Sequence, residues 1–172
     1  MEGSERLETA PPESRASGVR EGDTSGVRIP PPVFYVAGFL IGVALELAFP
    51  IDGPPPAFAV VGALVGGALW LALDGAAMLF FRRAGTSMVP MNPTTALVTS
   101  GPYRFTRNPM YLGMAFLYIA LALALGVIWA LPFLPVVIAA VDRLVIAREE
   151  PYLEARFGEE YRAYKRRVRR WL

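Results

Sequence analysis

The fold is decided by residues 57–81, AFAVVGALVGGALWLALDGAAMLFF, a long apolar run holding one charge, Asp74. A bilayer hydrocarbon core about 30 Å thick takes roughly 20 apolar residues per helix. This run is long enough to cross with some tilt. Working outward, residues 33–49, 110–129 and 131–147 form three more apolar blocks, the first of them somewhat short. Only a residue or two around Ala130 and Pro132 separate the last two, which read as a tight helical hairpin. The 172 residues are 54% hydrophobic, with mean hydropathy +0.40, above the level of an ordinary soluble domain. The expected fold is an all-α integral membrane protein with about four transmembrane helices.

Charge distribution orients the spans. Arg82, Arg83, Arg104 and Arg107 lie between the second and third blocks, and a basic tail follows the fourth. The connections near Pro50 and Ala130 carry no Lys or Arg. The positive-inside rule therefore places both termini and the 82–109 loop in the cytoplasm. Residues 1–32 are polar and rich in Pro, Gly and Ser, so a disordered N-terminal tail is expected there. No signal peptide is expected, because the first apolar block begins at residue 33 and lacks a cleavage-site pattern. Absence of Cys and His excludes thiol nucleophiles, imidazole bases and the metal sites built on either; no metal site and no nucleic-acid partner are expected.

Small residues repeat as Gly38-x-x-x-Gly42 and Gly62-x-x-x-Gly66, spacings that bring membrane helices close. Packing within the chain is the plainer reading; a homodimer seam is the other. Glu46, Asp74, Asp142 and Arg143 are charges inside the apolar blocks. Such groups are functional candidates, because burying them is costly. A structural pair of Asp74 with Arg143 is the competing reading. Residues 148–172 form a cytoplasmic helical segment with Leu153, Phe157, Tyr161, Tyr164, Val168 and Trp171 at helical spacing. Its basic opposite face favours a helix lying on an anionic membrane surface. The alternative is a lid folded over the loop.

The loop itself reads Gly101-Pro102-Tyr103-Arg104-Phe105-Thr106-Arg107-Asn108-Pro109-Met110-Tyr111. Asn108 fits a helix N-cap and Pro109 a first helical position. The resulting helix start offers backbone N–H groups and a positive dipole end to an anion, strengthened by Arg104 and Arg107. Tyr103, Phe105 and Tyr111 can stack on a planar ring, and Glu149 and Glu150 can accept from ribose hydroxyls. S-adenosylmethionine and a nicotinamide dinucleotide both fit that inventory.

Residues 97–103, then Arg107-Asn108-Pro109-Met110-Tyr111-x-Gly113, then Glu149-Glu150, then Phe157-Gly158-Glu159-Glu160-Tyr161-x-x-Tyr164-x-x-x-Val168 resemble the isoprenylcysteine carboxyl methyltransferase and phospholipid methyltransferase superfamily. The resemblance implies a membrane methyltransferase using S-adenosyl-L-methionine. Its acceptor would be hydrophobic or amphiphilic, an isoprenoid-linked carboxylate or a lipid, reached from the bilayer at the cytoplasmic face. It implies cofactor contacts at Ala96, Leu97, Val98, Tyr103, Asn108, Pro109, Met110, Tyr111 and Glu149. Arg107, Glu150 and Arg143 are the catalytic candidates, Glu150 as a base alongside Asp142 and Asp74. The family's usual Arg-His-Pro stands here as Arg107-Asn108-Pro109, and its substrate-side Arg falls on Val145. An NADPH-dependent membrane reductase and a non-catalytic lipid-binding protein are the rival readings.

Overall fold

Proline starts the first three α-helices, each at a position where a missing N–H costs nothing. In the computed structural model, which describes residues 25–85 and 94–172, α1 spans Pro31–Ala48, α2 spans Pro56–Ala84 and α3 spans Pro109–Leu125. A 3₁₀ turn, Gly101–Arg104, precedes α3. A second, Ile128–Phe133, leads into α4 (Leu134–Val141), a π turn (Asp142–Ile146) and α5 (Ala147–Arg167). The described residues contain no strand. Most of the N-terminal tail, residues 1–24, and loop residues 86–93 lie outside the described residues.

Among the described residues, three helical runs are long and apolar enough to cross a membrane: α1, α2 and the continuous run Ile128–Arg167. The 17-residue α3 is equally apolar but shorter. The expected third span, 110–129, ends early at Leu125. Gly126 takes a left-handed φ of 69° there and its N–H bonds to Ala122 O, which stops the helix. Only Gly126 and Val127 separate α3 from the last run, so the connection is short, as expected, but falls before Ile128 rather than around Ala130, and the run opens with the 3₁₀ segment. No break separates residue 147 from 148. The helix continues and changes character from apolar to polar at Arg148.

Packing is organised around α3, which lies against α2 on one side and α1 on another. Tyr118 of α3 donates to Ala130 O at 2.8 Å, and Tyr35 of α1 donates to Tyr111 O at 2.8 Å. Both are buried hydroxyls that would otherwise be costly. At the far end, Glu46 accepts from Ile51 N and Trp129 N at 3.0 and 3.2 Å, while Trp129 Nε1 donates to Phe49 O at 2.7 Å. These bonds tie α1 to the turn after α3. The outer faces of α1 and α2 carry exposed Val36, Leu40, Phe58, Val61, Leu64 and Leu71. Apolar surface on that scale fits lipid rather than water.

Both small-residue motifs are used inside the chain. A Cβ on Gly42 would sit 2.6 Å from Ala130 N, and one on Gly38 would strike the Val137 side chain. A Cβ on Gly62 would lie 2.5 Å from Leu123 Cδ1, and one on Gly66 3.0 Å from Phe116 O. The glycines seat α1 on the last helical run and α2 on α3, leaving a homodimer to some other face. Gly42→Val should therefore lower the thermal midpoint, at a cost of about 1–3 kcal/mol. Gly67→Ala, where no atom lies within 4 Å, should stabilise by up to about 1 kcal/mol. Thermal unfolding in detergent by circular dichroism checks both.

Candidate functional site

The loop before α3 and the tail after α5 are both polar and both short of partners in sequence; folded together, they satisfy each other. The last residues run extended after Arg167 and cross the loop. Arg107 N donates to Arg169 O at 2.9 Å. Thr106 Oγ1 and Asn108 Nδ2 both donate to Arg170 O, at 3.0 and 2.9 Å. Tyr164 OH donates to Tyr103 O at 2.8 Å. The tail is thus a lid held on the loop, in place of the free membrane-surface helix that its charge pattern favours. Its aromatic stripe covers Tyr103, Leu97, Val98 and Ala77 instead of lipid.

Asn108 stands at the N-cap position of α3, as expected, but its side chain makes no capping bond. It is turned to the Arg170 carbonyl instead. Pro109 is the first helical residue, fully buried. Gly158, at φ 55° and ψ −125°, kinks α5 and lets the second half fold back. Lys165 reaches Glu154 at 2.9 Å across that kink, a pair about 16 Å apart on a straight helix.

A chain of charges locks the lid. Arg107 Nη2 lies 3.0 Å from Glu150 Oε1, both side chains about nine-tenths buried. Arg170 Nη2 meets Glu150 Oε2 at 2.5 Å and Arg170 Nη1 meets Asp142 Oδ2 at 3.1 Å. Trp171 Nε1 donates to Asp142 Oδ1 at 3.0 Å. Two cations and two anions balance. Asp142 therefore belongs to this chain, and the Asp74–Arg143 pair does not form.

Beneath the lid is a cavity of about 440 Å³ at the start of α3. Of the expected cofactor residues, Ala96, Leu97, Val98 and Tyr103 line it from the loop, Asn108, Met110 and Tyr111 from the helix start, and Glu149 from α5. Pro109 does not line it. Of the catalytic candidates, Arg107 and Glu150 line it, whereas exposed Arg143 sits beside a different cavity. Phe105, expected to stack on a ligand ring, is 76% exposed and points away. Tyr152, Tyr161 and Tyr164 of the lid supply the aromatic surface instead. The helical spacing of Tyr161 and Tyr164 is legible in sequence, but not the surface they cover; Tyr152 stands outside that stripe.

The polar groups of the cavity divide into spent and unspent. Glu150 is taken by Arg107 and Arg170. Glu149 accepts from Tyr111 OH at 2.7 Å. It lies past the apolar part of its helix, and burial pushes its carboxyl up to about 7, against the lowering effect of the Tyr111 hydroxyl and with a smaller push from Glu150. Burial also raises the Tyr103 hydroxyl. Two buried polar atoms have no partner among the described residues: Arg107 Nε and Asp74 Oδ2. Asp74 enters from α2 against the backbone of Gly113, where any Cβ would collide with its carboxylate.

The family described as phospholipid methyltransferase matches residues 57–160. The chain belongs to that family. Phospholipid methyltransferases are membrane methyltransferases, and the matched residues carry α2, the loop, α3 and most of the cavity wall. The end of the lid, including Arg170 and Trp171, lies beyond the matched region. Over 63 residues the chain is 46% identical to an uncharacterized protein of Haemophilus influenzae, covering all of that protein and 37% of this chain. No solved structure matches.

Asn108→Ala combined with Thr106→Val removes both donors to the Arg170 carbonyl. Trypsin should then cleave after Arg169 and Arg170 at least several-fold faster than in the unaltered protein. Equal cleavage rates would mean that the lid is held without these two bonds.

Proposed function

We propose that this phospholipid methyltransferase family member uses S-adenosyl-L-methionine to methylate a hydrophobic or amphiphilic acceptor, an isoprenoid-linked carboxylate or a lipid, at the cytoplasmic face of the membrane, with both termini on that side. The observation that carries the reading is the set of unspent polar atoms around one covered cavity. Its volume falls within the range of small-molecule sites, roughly 300–1,000 Å³. The cofactor is an amino acid, a sulfonium, a ribose and a base in one molecule, and the cavity holds a candidate for each. Arg107 Nε, beside the N-terminus of α3, suits the carboxylate. Glu149 suits the ribose hydroxyls, and Tyr103, Tyr161 and Tyr164 suit the base. Asp74 suits a positive charge.

When bound, the cofactor supplies an electrophilic methyl group on a positively charged sulfur. The chain's own residues do the rest. The lid excludes water, and a dry site strengthens every charge interaction within it. Asp74 and Met114, on α2 and α3, extend the cavity wall into the apolar layer, the side from which a lipophilic acceptor arrives. An anionic acceptor needs no base. A protonated amine would first lose its proton, and Asp74, with one carboxylate oxygen unpartnered in the wall, would take it.

Glu149→Ala and Tyr103→Ala should each abolish S-adenosylmethionine binding by calorimetry while leaving helical content unchanged. Unchanged affinity in both would overturn the assignment of this cavity, and saturable NADPH binding alone would favour a reductase. Glu149 gives the binding a pH dependence. A cationic ligand favours its ionised form, so affinity is full above about pH 7 and falls below it. The fall approaches about tenfold per pH unit once the carboxyl is mostly protonated. Glu149→Gln should flatten that profile.

A further inference from the structure

A second opening shares no lining residue with the covered cavity. It is a groove of about 950 Å³ between α3, α4 and the end of the lid. Along its length the wall is apolar, with Leu131, Leu134 and Ile138 facing Ile119 of α3. At one end it turns polar, with Asp142, Arg143, Arg170 and Trp171. The charges at that end are not equivalent. Asp142 is occupied by Arg170 and the Trp171 indole, and Arg170 is shared with Glu150. The Arg143 guanidinium has no ion pair or hydrogen bond among the described residues. The groove therefore ends in one unspent positive charge.

Dimensions match a lipid. From Leu131 to Arg143 the helical rise is about 18 Å, close to the roughly 15 Å of one leaflet's hydrocarbon. The charged end lies between one and two turns before the helix turns polar at Arg148, within reach of the head groups for a long cationic side chain. A tryptophan and a long cationic side chain at that level are the usual interfacial anchors. Basic pockets beside membrane helices on the cytoplasmic side recognise anionic head groups.

We propose that this groove is a binding site for one anionic glycerophospholipid, its acyl chain along α4 and its phosphate at Arg143, separate from the methyl-transfer cavity. The proposal stands without the cofactor assignment. It is tested on the full chain in detergent, incubated with equal amounts of phosphatidylglycerol and phosphatidylcholine of the same acyl chains. Retained lipid is read by native mass spectrometry. Phosphatidylglycerol should be retained at least fivefold over phosphatidylcholine. Arg143→Gln should bring the two near parity, and Arg143→Lys should restore most of the preference. Ala139→Phe, at an exposed position in the apolar wall, should reduce retention of both lipids, with circular dichroism verifying the fold. Parity in the unaltered protein, a preference that survives Arg143→Gln, or retention indifferent to Ala139→Phe would each overturn the site.

Discussion

The buried contact between Arg107 and Glu150 is the constraint on which the rest of the cytoplasmic half depends. Two charges taken out of water at this depth are tolerable only if each is matched. The match here is extended by Arg170, which reaches Glu150 with one nitrogen and Asp142 with another. The loop before α3, the start of α5 and the end of the chain are thereby fixed to one another. Without the tail's cation, Glu150 would keep Arg107 alone and Asp142 would keep only the Trp171 indole. The lid is thus a charge requirement of the buried loop as well as a cover for it.

The same accounting separates structure from chemistry inside the cavity. Glu150, Thr106 and Asn108 are consumed in holding the lid, although two of them stand at positions that a family resemblance assigns to ligand or catalysis. Asn108 is instructive. A side chain placed before Pro109 is well situated to cap α3, yet it donates to the Arg170 carbonyl and leaves the helix start without a side-chain cap. An asparagine can serve this role as a neutral donor, with no need for the charge that a histidine could take up. What is left unspent is a donor on Arg107, an acceptor on Asp74 and the partly engaged Glu149. These groups differ in charge and sit on three separate elements, as recognition of a molecule with several functional groups demands.

The membrane spans were legible because hydrocarbon solvent imposes a length and a composition that few other constraints imitate. The loop and the Glu149–Glu150 pair stood out in the sequence because polar groups at a span's edge are costly, and the structure brings them to one cavity. Other features were hidden for physical reasons. The end of α3 at Leu125 depends on a left-handed Gly126 inside an unbroken apolar run, where hydropathy has no contrast to offer. An amphipathic tail reads identically whether its apolar stripe meets lipid or the chain's own loop. Phe105 and Tyr103 look alike in sequence, yet the turn at Gly101, closed over the Phe80 ring, sends one outward and the other in.

Arg143 raises a sharper point about periodicity. On an uninterrupted α-helix its angular relation to Glu149 and Glu150 would follow from 100° per residue. The π turn at Asp142–Ile146 inserts extra backbone between them, as the bond from Ala147 N to Asp142 O five residues back records. One inserted residue rotates everything downstream by about 100°. Glu149 and Glu150 then face the loop and the lid, while Arg143 remains with the groove. A single widened turn thus divides one helix between two openings, the covered cavity and the open groove. Arg170 touches both divisions, since it holds Asp142 at the groove and Glu150 at the cavity. Whatever occupies the groove therefore meets the same cation that keeps the lid closed.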